Sequence, residues 1–279
     1  MHELVKVSVV LPCKNAERTI GQAIESILQQ SLRDFELIVI DESSDNSLSV
    51  IESITDTRLR VHHSTRLGLA TSLNTGLRLS RGEYIARMDA DDVSLPNRLS
   101  TEARYLDQHP EVGMVAGQAF FKQQGQVYSS PLARWISAPV LLNRLLFEVN
   151  PIIASASMIR RAGIMKVGGY DLSFDRWPYA EDYDLAVRIS RVFDVIAIPE
   201  YVCVYTLSSS SMSGGRSMNR LIGLCIAKAR SVSLAENPVD VARALISIVR
   251  SVEIDLTTRL TKNRFGSYLL NMQVLESKL

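Results

Sequence analysis

The chain has 279 residues, of which 46% are hydrophobic, enough for a buried core in one large domain or in one domain with an appendage. Its 31 basic and 30 acidic residues leave a net charge of +1, so no overall field favours nucleic acid or an anionic membrane surface. The three cysteines, Cys13, Cys203 and Cys225, form no CxxC pair, which argues against a disulfide framework or a structural zinc site.

The first residues of the sequence lead directly into a run that is typical of a strand. They lack a basic segment followed by an apolar stretch, and nowhere do about 18 apolar residues follow one another. Together with the cysteine usage, this predicts a cytoplasmic protein without a spanning helix, and attachment to the inner face of the membrane is the peripheral alternative.

Strands and helices alternate through the first part of the chain. Strands are predicted over residues 7–11, 35–40, 60–63 and 84–88, and apolar residues at helical spacing follow the first three. Such alternation predicts an α/β fold with a mostly parallel sheet and helices on both of its faces.

Polar residues follow three of these strands. Because ligands of parallel sheets bind beyond the carboxyl ends of the strands, we expect the loops at Asn15, Asp41 and Asp89 to converge on one site. Neither GxGxxG nor GxxxxGK[ST] occurs, so the sequence has no Rossmann dinucleotide fingerprint and no P-loop.

The fourth strand ends in three carboxylates, Asp89, Asp91 and Asp92. Like charges this close repel each other unless water or a cation compensates them, so the cluster is a candidate site for a divalent metal. The alternative is a solvated turn or a helix cap, because Ser94 and Pro96 indicate a helix just beyond.

The elements expected after this cluster are less regular. Helices are predicted over residues 96–109 and 139–149 and from about 181, and strands over 112–121, 152–159, 194–198 and 201–205. Turns are predicted at 123–126, at 160–163 (or a short helix there), and at the glycines of 168–171.

A loop of small residues over 208–215 is a natural domain boundary. Residues 216–279 are predicted to form a helical extension that packs on the catalytic core or forms a homodimer, with peripheral membrane contact through its basic residues as the alternative. The preceding domain, 1–215, divides into halves at about residue 110.

Several motifs follow one another in order. They are VVLPCKNA at 9–16, ELIVIDESSD at 36–45, GLA at 68–70 with LNTG at 73–76, RGEYIARMDADD at 81–92, VGGYD at 167–171 and EDYDL at 181–185. In this order and spacing the chain resembles family 2 glycosyltransferases of the GT-A fold, of the bacterial polysaccharide and surface-glycan type, over residues 7–205.

The resemblance implies an enzyme with a Rossmann-like GT-A sheet. It implies transfer of a sugar, with inversion, from a nucleotide-diphosphate sugar to a hydroxyl of a glycan or lipid-linked saccharide, with a UDP-sugar as the first expectation and no nucleic acid partner. It also implies Mg²⁺ or Mn²⁺ bound by Asp91 and Asp89, which would stabilise the leaving diphosphate.

The resemblance assigns the donor pocket residue by residue. Donor-binding positions are Pro12, Asn15, Glu17, Asp41, Arg66, Asn74, Asp89 and Ala90. Asp41 stands where the family recognises the nucleobase, although it is also placed to cap the following helix, and Glu17 is also a candidate first-turn acid.

The resemblance points to Asp182 as the base that takes the proton of the acceptor hydroxyl. A position at a helix start favours the ionised carboxylate, and an ordinary first-turn acid is the alternative reading. Trp177, Tyr179 and Glu181 are the acceptor-binding candidates, the two aromatic rings as stacking partners for a sugar or as packing residues.

Three departures from the family pattern concern donor recognition. The run from Asp41 to Asp45 is one residue shorter than in the family and lacks its glycine, and Arg66 stands near a position where the family usually has Asn. Many relatives have Arg and His after the Tyr that corresponds to Tyr205, but this chain does not. The diphosphate would then be clamped by Arg216 or by loop hydroxyls. His62 and His63 lie in a strand-like run and are expected to be structural.

Two alternative functions can be compared with the proposed transferase by their expected residues. Assignment as a nucleotide-sugar pyrophosphorylase is disfavoured, because the glycine-rich, lysine-containing segment expected in that class does not follow Val10. A non-catalytic nucleotide-sugar-binding relative is disfavoured by the intact Asp89, Asp91 and Asp182.

Overall fold

A ten-stranded sheet runs through the part of the chain that the computed structural model describes, namely residues 5–65, 68–129, 137–143, 146, 150–176, 180–207, 227 and 229. Among these residues no helix has the length and apolar content needed to cross a membrane. The extension predicted over 216–279, the loop at 208–215 and Cys225 lie outside the described residues, apart from positions 227 and 229.

The first half follows the predicted alternation. Its elements are β1 (Val7–Cys13), α1 (Ile20–Leu28), β2 (Phe35–Asp41), α2 (Ser47–Glu52), β3 (Leu59–His63), α3 (Leu69–Leu79) and β4 (Tyr84–Arg87). The strands pair in the order β3-β2-β1-β4, all parallel.

The second half extends the sheet with strands of both directions. Its elements are β5 (Val93–Ser94), α4 (Arg98–Gln108), β6 (Val112–Gln123), β7 (Gln126–Ser129), β8 (Val140–Leu141), β9 (Ser157–Arg160), α5 (Arg161–Lys166), α6 (Ser173–Arg176), α7 (Glu181–Ile189) and β10 (Asp194–Thr206). The order continues as β4-β9-β6-β10-β5, with β9 antiparallel to both neighbours and β10 parallel to β6.

Helices cover both faces of the sheet, as predicted. The apolar residues of α1 and α4 pack on one face, and those of α3 and α7 pack on the other. Because both faces are covered, every residue of β2 and β4 is buried, which explains why these strands read as continuous rather than alternating apolar runs.

Three predicted elements are wrong in part. Residues 140 and 141, predicted as helical, form β8 against Ile196 and Ala197, because leucine-rich runs fit either state and an edge of the sheet was open to them. The strand predicted over 152–159 begins as a 3-10 turn at Ala154–Ala156. The two strands predicted over 194–205 are one strand, because β-bulges between Ala197 and Cys203 keep it paired with β6.

Candidate functional site

The loops after β1 and β2 are joined side by side. Cys13 and Asp41 are partners at the carboxyl ends of these parallel strands. The Asn15 side chain then accepts hydrogen bonds from the backbone N–H and hydroxyl of Ser44, at 2.8 and 3.2 Å. Asn15 has a positive φ of 52°, a conformation that asparagine tolerates better than most residues. The predicted convergence of Asn15 and Asp41 is therefore observed.

Asp41 is fully buried at the end of β2. Its Oδ2 lies 2.8 Å from His63 Nδ1, and its Oδ1 accepts a hydrogen bond of 3.3 Å from the Ser43 N–H. The N–H of Ser47, the first residue of α2, bonds instead to Asp45 Oδ1 at 3.0 Å, and Asp41 does not cap that helix. The His63 side chain lies beside Asp41 and is 44% exposed. The strand pattern around His63 does not reveal this contact.

Glu17 and Pro12 lie on the same edge. The Glu17 carboxylate accepts hydrogen bonds from the Asn46 backbone N–H and side-chain amide, at 3.2 and 3.1 Å. Since α1 begins at Ile20, Glu17 precedes that helix and is not a first-turn acid. Pro12 is half-buried near the end of β1.

Asn74 is engaged within the protein. Its side-chain amide donates to the Tyr170 carbonyl at 2.7 Å and its Oδ1 accepts from the Tyr170 N–H at 2.9 Å. Asn74 thus joins α3 to the glycine turn that precedes α6. The predicted contact of Asn74 with the nucleotide-sugar donor stays a prediction. So does that of Arg66, which lies outside the described residues.

The acidic cluster follows β4. Asp89, Ala90 and Asp91 are half-buried, and Asp89 Oδ1 accepts a 2.9 Å hydrogen bond from Arg87 Nε. Burial and the neighbouring charge of Asp89 raise the pKa of Asp91 to about 6. The like charges of this motif therefore do interact, as the sequence predicts.

Asp92 is not a helix-start acid, because α4 begins six residues later at Arg98 and the strand β5 intervenes. The side chain is buried, and its Oδ1 accepts a 2.8 Å hydrogen bond from the Thr206 N–H on β10. Its Oδ2 has no hydrogen-bond partner among the described residues. Burial and the charges of Asp89 and Asp91 raise its pKa well above the usual range.

The residues fit a divalent cation. Asp89 and Asp91 supply hard carboxylate oxygens, and because burial and the charge of Asp89 raise the pKa of Asp91, a cation beside these groups would stabilise their ionised forms. No group of three or more metal-binding side chains occurs in the described part of the chain, so such an ion would take further oxygens from its substrate and water.

A buried arginine of α4 forms hydrogen bonds with the backbone at the carboxyl end of β4. Arg98 Nη2 donates to the carbonyls of Arg87 and Ser157, at 2.7 and 3.1 Å, and its Nε bonds to Glu102 at 3.2 Å. Both side chains are fully buried, and burial raises the pKa of Glu102 to about 7. Arg98 thereby fixes the backbone that leads into Asp89.

Asp182 is the second residue of α7. Burial, first, and the charge of Glu181 raise its pKa to about 7, while Arg87 opposes them. The expectation that the helix start favours the ionised form is therefore wrong in its net effect, because desolvation outweighs the helix dipole. A carboxyl with a pKa near 7 is well matched to accept a proton at neutral pH.

Glu181 is turned inward. Its Oε1 accepts a 2.7 Å hydrogen bond from Arg87 Nη1, and both side chains are buried. The predicted acceptor contact of Glu181 stays a prediction that this position does not favour. Trp177 and Tyr179, the other acceptor candidates, lie outside the described residues.

Arg87 is the residue of this candidate site that the sequence pattern did not reveal. It is the last residue of β4 and joins Asp89 to Glu181, so it connects the acidic cluster to the helix of Asp182. The available signal was a single charged residue inside an otherwise apolar strand. No cysteine is placed as a nucleophile among the described residues, and burial raises the pKa of the Cys13 thiol to about 11.

The strand order and the acids at its carboxyl edge define an α/β sheet with a candidate ligand site at that edge. The model of the family described as Glycosyl transferase family 2 matches residues 8–168, and the chain belongs to this family of enzymes. The predicted family membership is confirmed.

The curated relatives agree with this assignment. Over 227 residues the chain is 32% identical to an uncharacterized glycosyltransferase of Haemophilus influenzae, a match that covers 74% of this chain and 67% of the relative. It is 33% identical to EpsE of Bacillus subtilis over 189 residues, 66% of each chain.

Solved structures share the fold. A TarS fragment of S. aureus in complex with UDP-GlcNAc has a TM-score of 0.71 at 18% identity, covering 88% of this chain and 72% of the fragment. The mannosyltransferase PcManGT of Pyrobaculum calidifontis, in complex with GDP-Man and Mn²⁺, has a TM-score of 0.67 at 19% identity, covering 99% and 81%. At these identities the similarity establishes the fold, and the predicted GT-A architecture is confirmed.

Proposed function

We propose that this glycosyltransferase moves a sugar from a nucleotide-diphosphate sugar to an acceptor hydroxyl, with inversion at the anomeric carbon. The observation that carries the proposal is the juxtaposition, through Arg87, of the acidic cluster at Asp89 with α7, where Asp182 lies. The donor in the TarS complex and the donor in the PcManGT complex are both nucleotide sugars, which supports this class of substrate.

In the proposed reaction, the acceptor oxygen attacks the anomeric carbon from the face opposite the diphosphate. The new carbon–oxygen bond forms as the bond to the diphosphate breaks, and the diphosphate leaves with the electron pair. The Asp182 carboxylate takes the acceptor proton. Its pKa of about 7 keeps a large ionised fraction at neutral pH.

Asp89 and Asp91 are proposed to hold Mg²⁺ or Mn²⁺, which would stabilise the charge on the leaving diphosphate. Asn15, Pro12, Asp41 and Glu17 are proposed to line the nucleotide part of the same edge, and the acceptor is proposed to be a glycan or lipid-linked saccharide of a bacterial surface polymer. A UDP-sugar is the first donor to test.

The test is a transfer assay with UDP- and GDP-sugars, Mn²⁺ and lipid-linked saccharide acceptors, in which nucleoside diphosphate release and product stereochemistry by NMR are measured. We expect an inverted product from the wild type.

Asp182→Asn should lower kcat by about 10²- to 10⁴-fold, the usual contribution of a general base. Asp91→Ala should abolish turnover, and added Mn²⁺ should not restore it.

Glu25→Gln is the matched control, because Glu25 is an exposed acid on α1 that takes part in none of these contacts. It should leave the rate unchanged. A product with retained stereochemistry would contradict the inverting mechanism, and unchanged turnover in Asp182→Asn would remove the proposed base.

A further inference from the structure

We propose that Arg87 is a positioning residue that fixes α7, and with it Asp182, relative to the carboxylate of Asp89. The proposal rests on the proposed function for the role of Asp182, but its geometric part concerns this chain's own contacts. Arg87 and Glu181 would touch neither sugar nor nucleotide, and their effect would pass through the two acids beside them.

The contacts of Arg87 are directional and buried. Nε donates to Asp89 Oδ1 at 2.9 Å and Nη1 donates to Glu181 Oε1 at 2.7 Å, while only 7% of the side chain is exposed. A planar guanidinium offers its donors in a fixed fork, so two carboxylates bound to it have a defined separation and orientation. The Arg87 and Glu181 side chains are both buried, so the ion pair between them is shielded from water, whereas the Asp89 side chain is 26% exposed.

The backbone on the α7 side is strained at the adjoining residue. Ala180 has φ 79° and ψ 17°, a left-handed conformation that non-glycine residues adopt only when their surroundings impose it. Its carbonyl accepts the first helical hydrogen bond, 2.9 Å from the Asp184 N–H. The next residue, Glu181, is held by Arg87, so this ion pair is one of the contacts that maintain the turn from which Asp182 projects.

The positive charge of Arg87 determines in which direction Mn²⁺ affinity should change when the residue is removed. A cation at Asp89 and Asp91 would be repelled by the guanidinium, and Arg87 already occupies one oxygen of Asp89. Its removal should therefore leave Mn²⁺ affinity unchanged or increased, whereas general damage to the site would weaken it. Catalysis should fall nevertheless, because Asp182 loses its fixed position.

The experiment compares Arg87→Met, Arg87→Lys, Glu181→Gln and the double variant Arg87→Met/Glu181→Gln. Mn²⁺ affinity is measured by EPR, kcat and KM by the transfer assay, and amide hydrogen exchange by mass spectrometry over residues 180–189. For Arg87→Met we expect Mn²⁺ affinity within threefold of the wild type or tighter, kcat at least 30-fold lower, and exchange over this peptide at least tenfold faster. Arg87→Lys should recover part of kcat, because it keeps the charge.

Glu181→Gln keeps the shape of the side chain and guards against a variant that fails to fold. The double variant should be no slower than the slower single variant, because both changes break one linkage. Arg188→Met is the control: Arg188 pairs with Asp184 at 2.8 Å farther along the same helix and does not contact Asp89, so it should lower stability without the 30-fold loss of kcat.

Additive losses in the double variant, a parallel loss of Mn²⁺ binding and kcat, or unchanged exchange over residues 180–189 would each overturn the proposal. The two proposals fail separately. If the wild type transfers no sugar, the proposed function fails, while hydrogen exchange still decides whether Arg87 fixes α7.

Discussion

At the scale of single residues, the competition between burial and the helix dipole decides the chemistry of Asp182. The N-terminus of α7, of which Asp182 is the second residue, favours a negative charge and therefore an ionised carboxylate. Burial and the adjacent Glu181 act in the opposite direction and prevail, so the pKa rises to about 7. A residue whose position at a helix start favours a low pKa thus becomes suited to proton transfer near neutral pH by its surroundings.

This pKa predicts the pH dependence of the enzyme. The proposed base must be ionised, so kcat/KM should decrease about tenfold per pH unit below pH 7 and level off above it. The groups that set this value are Glu181, Asp89 and Arg87, and the profile should be measured between pH 5.5 and 9 at saturating Mn²⁺. The residual activity of Asp182→Asn should lose this limb, and a wild-type profile that is flat through pH 7 would contradict the assignment.

At the scale of elements, α3 is held by an acid from a distant part of the chain. Asp175 of α6 accepts hydrogen bonds from the Ala70 N–H at 2.7 Å and from the Thr71 N–H at 3.2 Å, and also from the Thr71 hydroxyl. Gly68 precedes the helix with φ 88°, and a Cβ there would lie 2.6 Å from Asp175 Oδ1. Both the conformation and the close approach therefore require glycine at this position.

Asp175→Ala should lower the free energy of unfolding by about 1–2 kcal/mol, since the first N–H groups of α3 lose their acceptor. The measurement is the urea midpoint followed by circular dichroism at an unchanged m-value. Thr71→Val, which removes the hydroxyl partner alone, should cost less, about 0.5–1.5 kcal/mol. Equal stability of Asp175→Ala and the wild type would show that α3 does not depend on this cap.

Element prediction succeeded where local pattern and tertiary setting agree. The β-branched run of β1 and the helical spacing of α1 are each explained by burial against the sheet. Prediction failed at Val140 and Leu141, whose leucine-rich context suits a helix, because their strand state depends on pairing with Ile196 and Ala197, more than fifty residues away.

At the scale of the whole molecule, the sheet brings distant segments to one edge. Ligands that bind only the folded state raise its stability in proportion to the logarithm of their excess over Kd. At one hundred times its Kd, UDP with Mn²⁺ should stabilise the protein by about 2.7 kcal/mol, seen as an increase of several degrees in Tm.

The matched measurements are UDP with EDTA in place of Mn²⁺, and GDP, dTDP and CMP with Mn²⁺. The shift should disappear with the chelator and in Asp91→Ala, while Glu25→Gln should retain it. A nucleotide other than UDP that gives the larger shift would correct the expected donor, and an equal shift with EDTA would contradict the metal assignment.

The sequence by itself determined the family, the alternation of elements and the acids that end β4, because each is written in a contiguous run of residues. Only the tertiary structure decided how these acids are used. It buries Asp41 beside His63, encloses Asp92 against β10, and joins Asp89 to Glu181 through Arg87. The physical reason is that charge compensation and desolvation depend on distances between residues far apart in the chain, which no local pattern encodes.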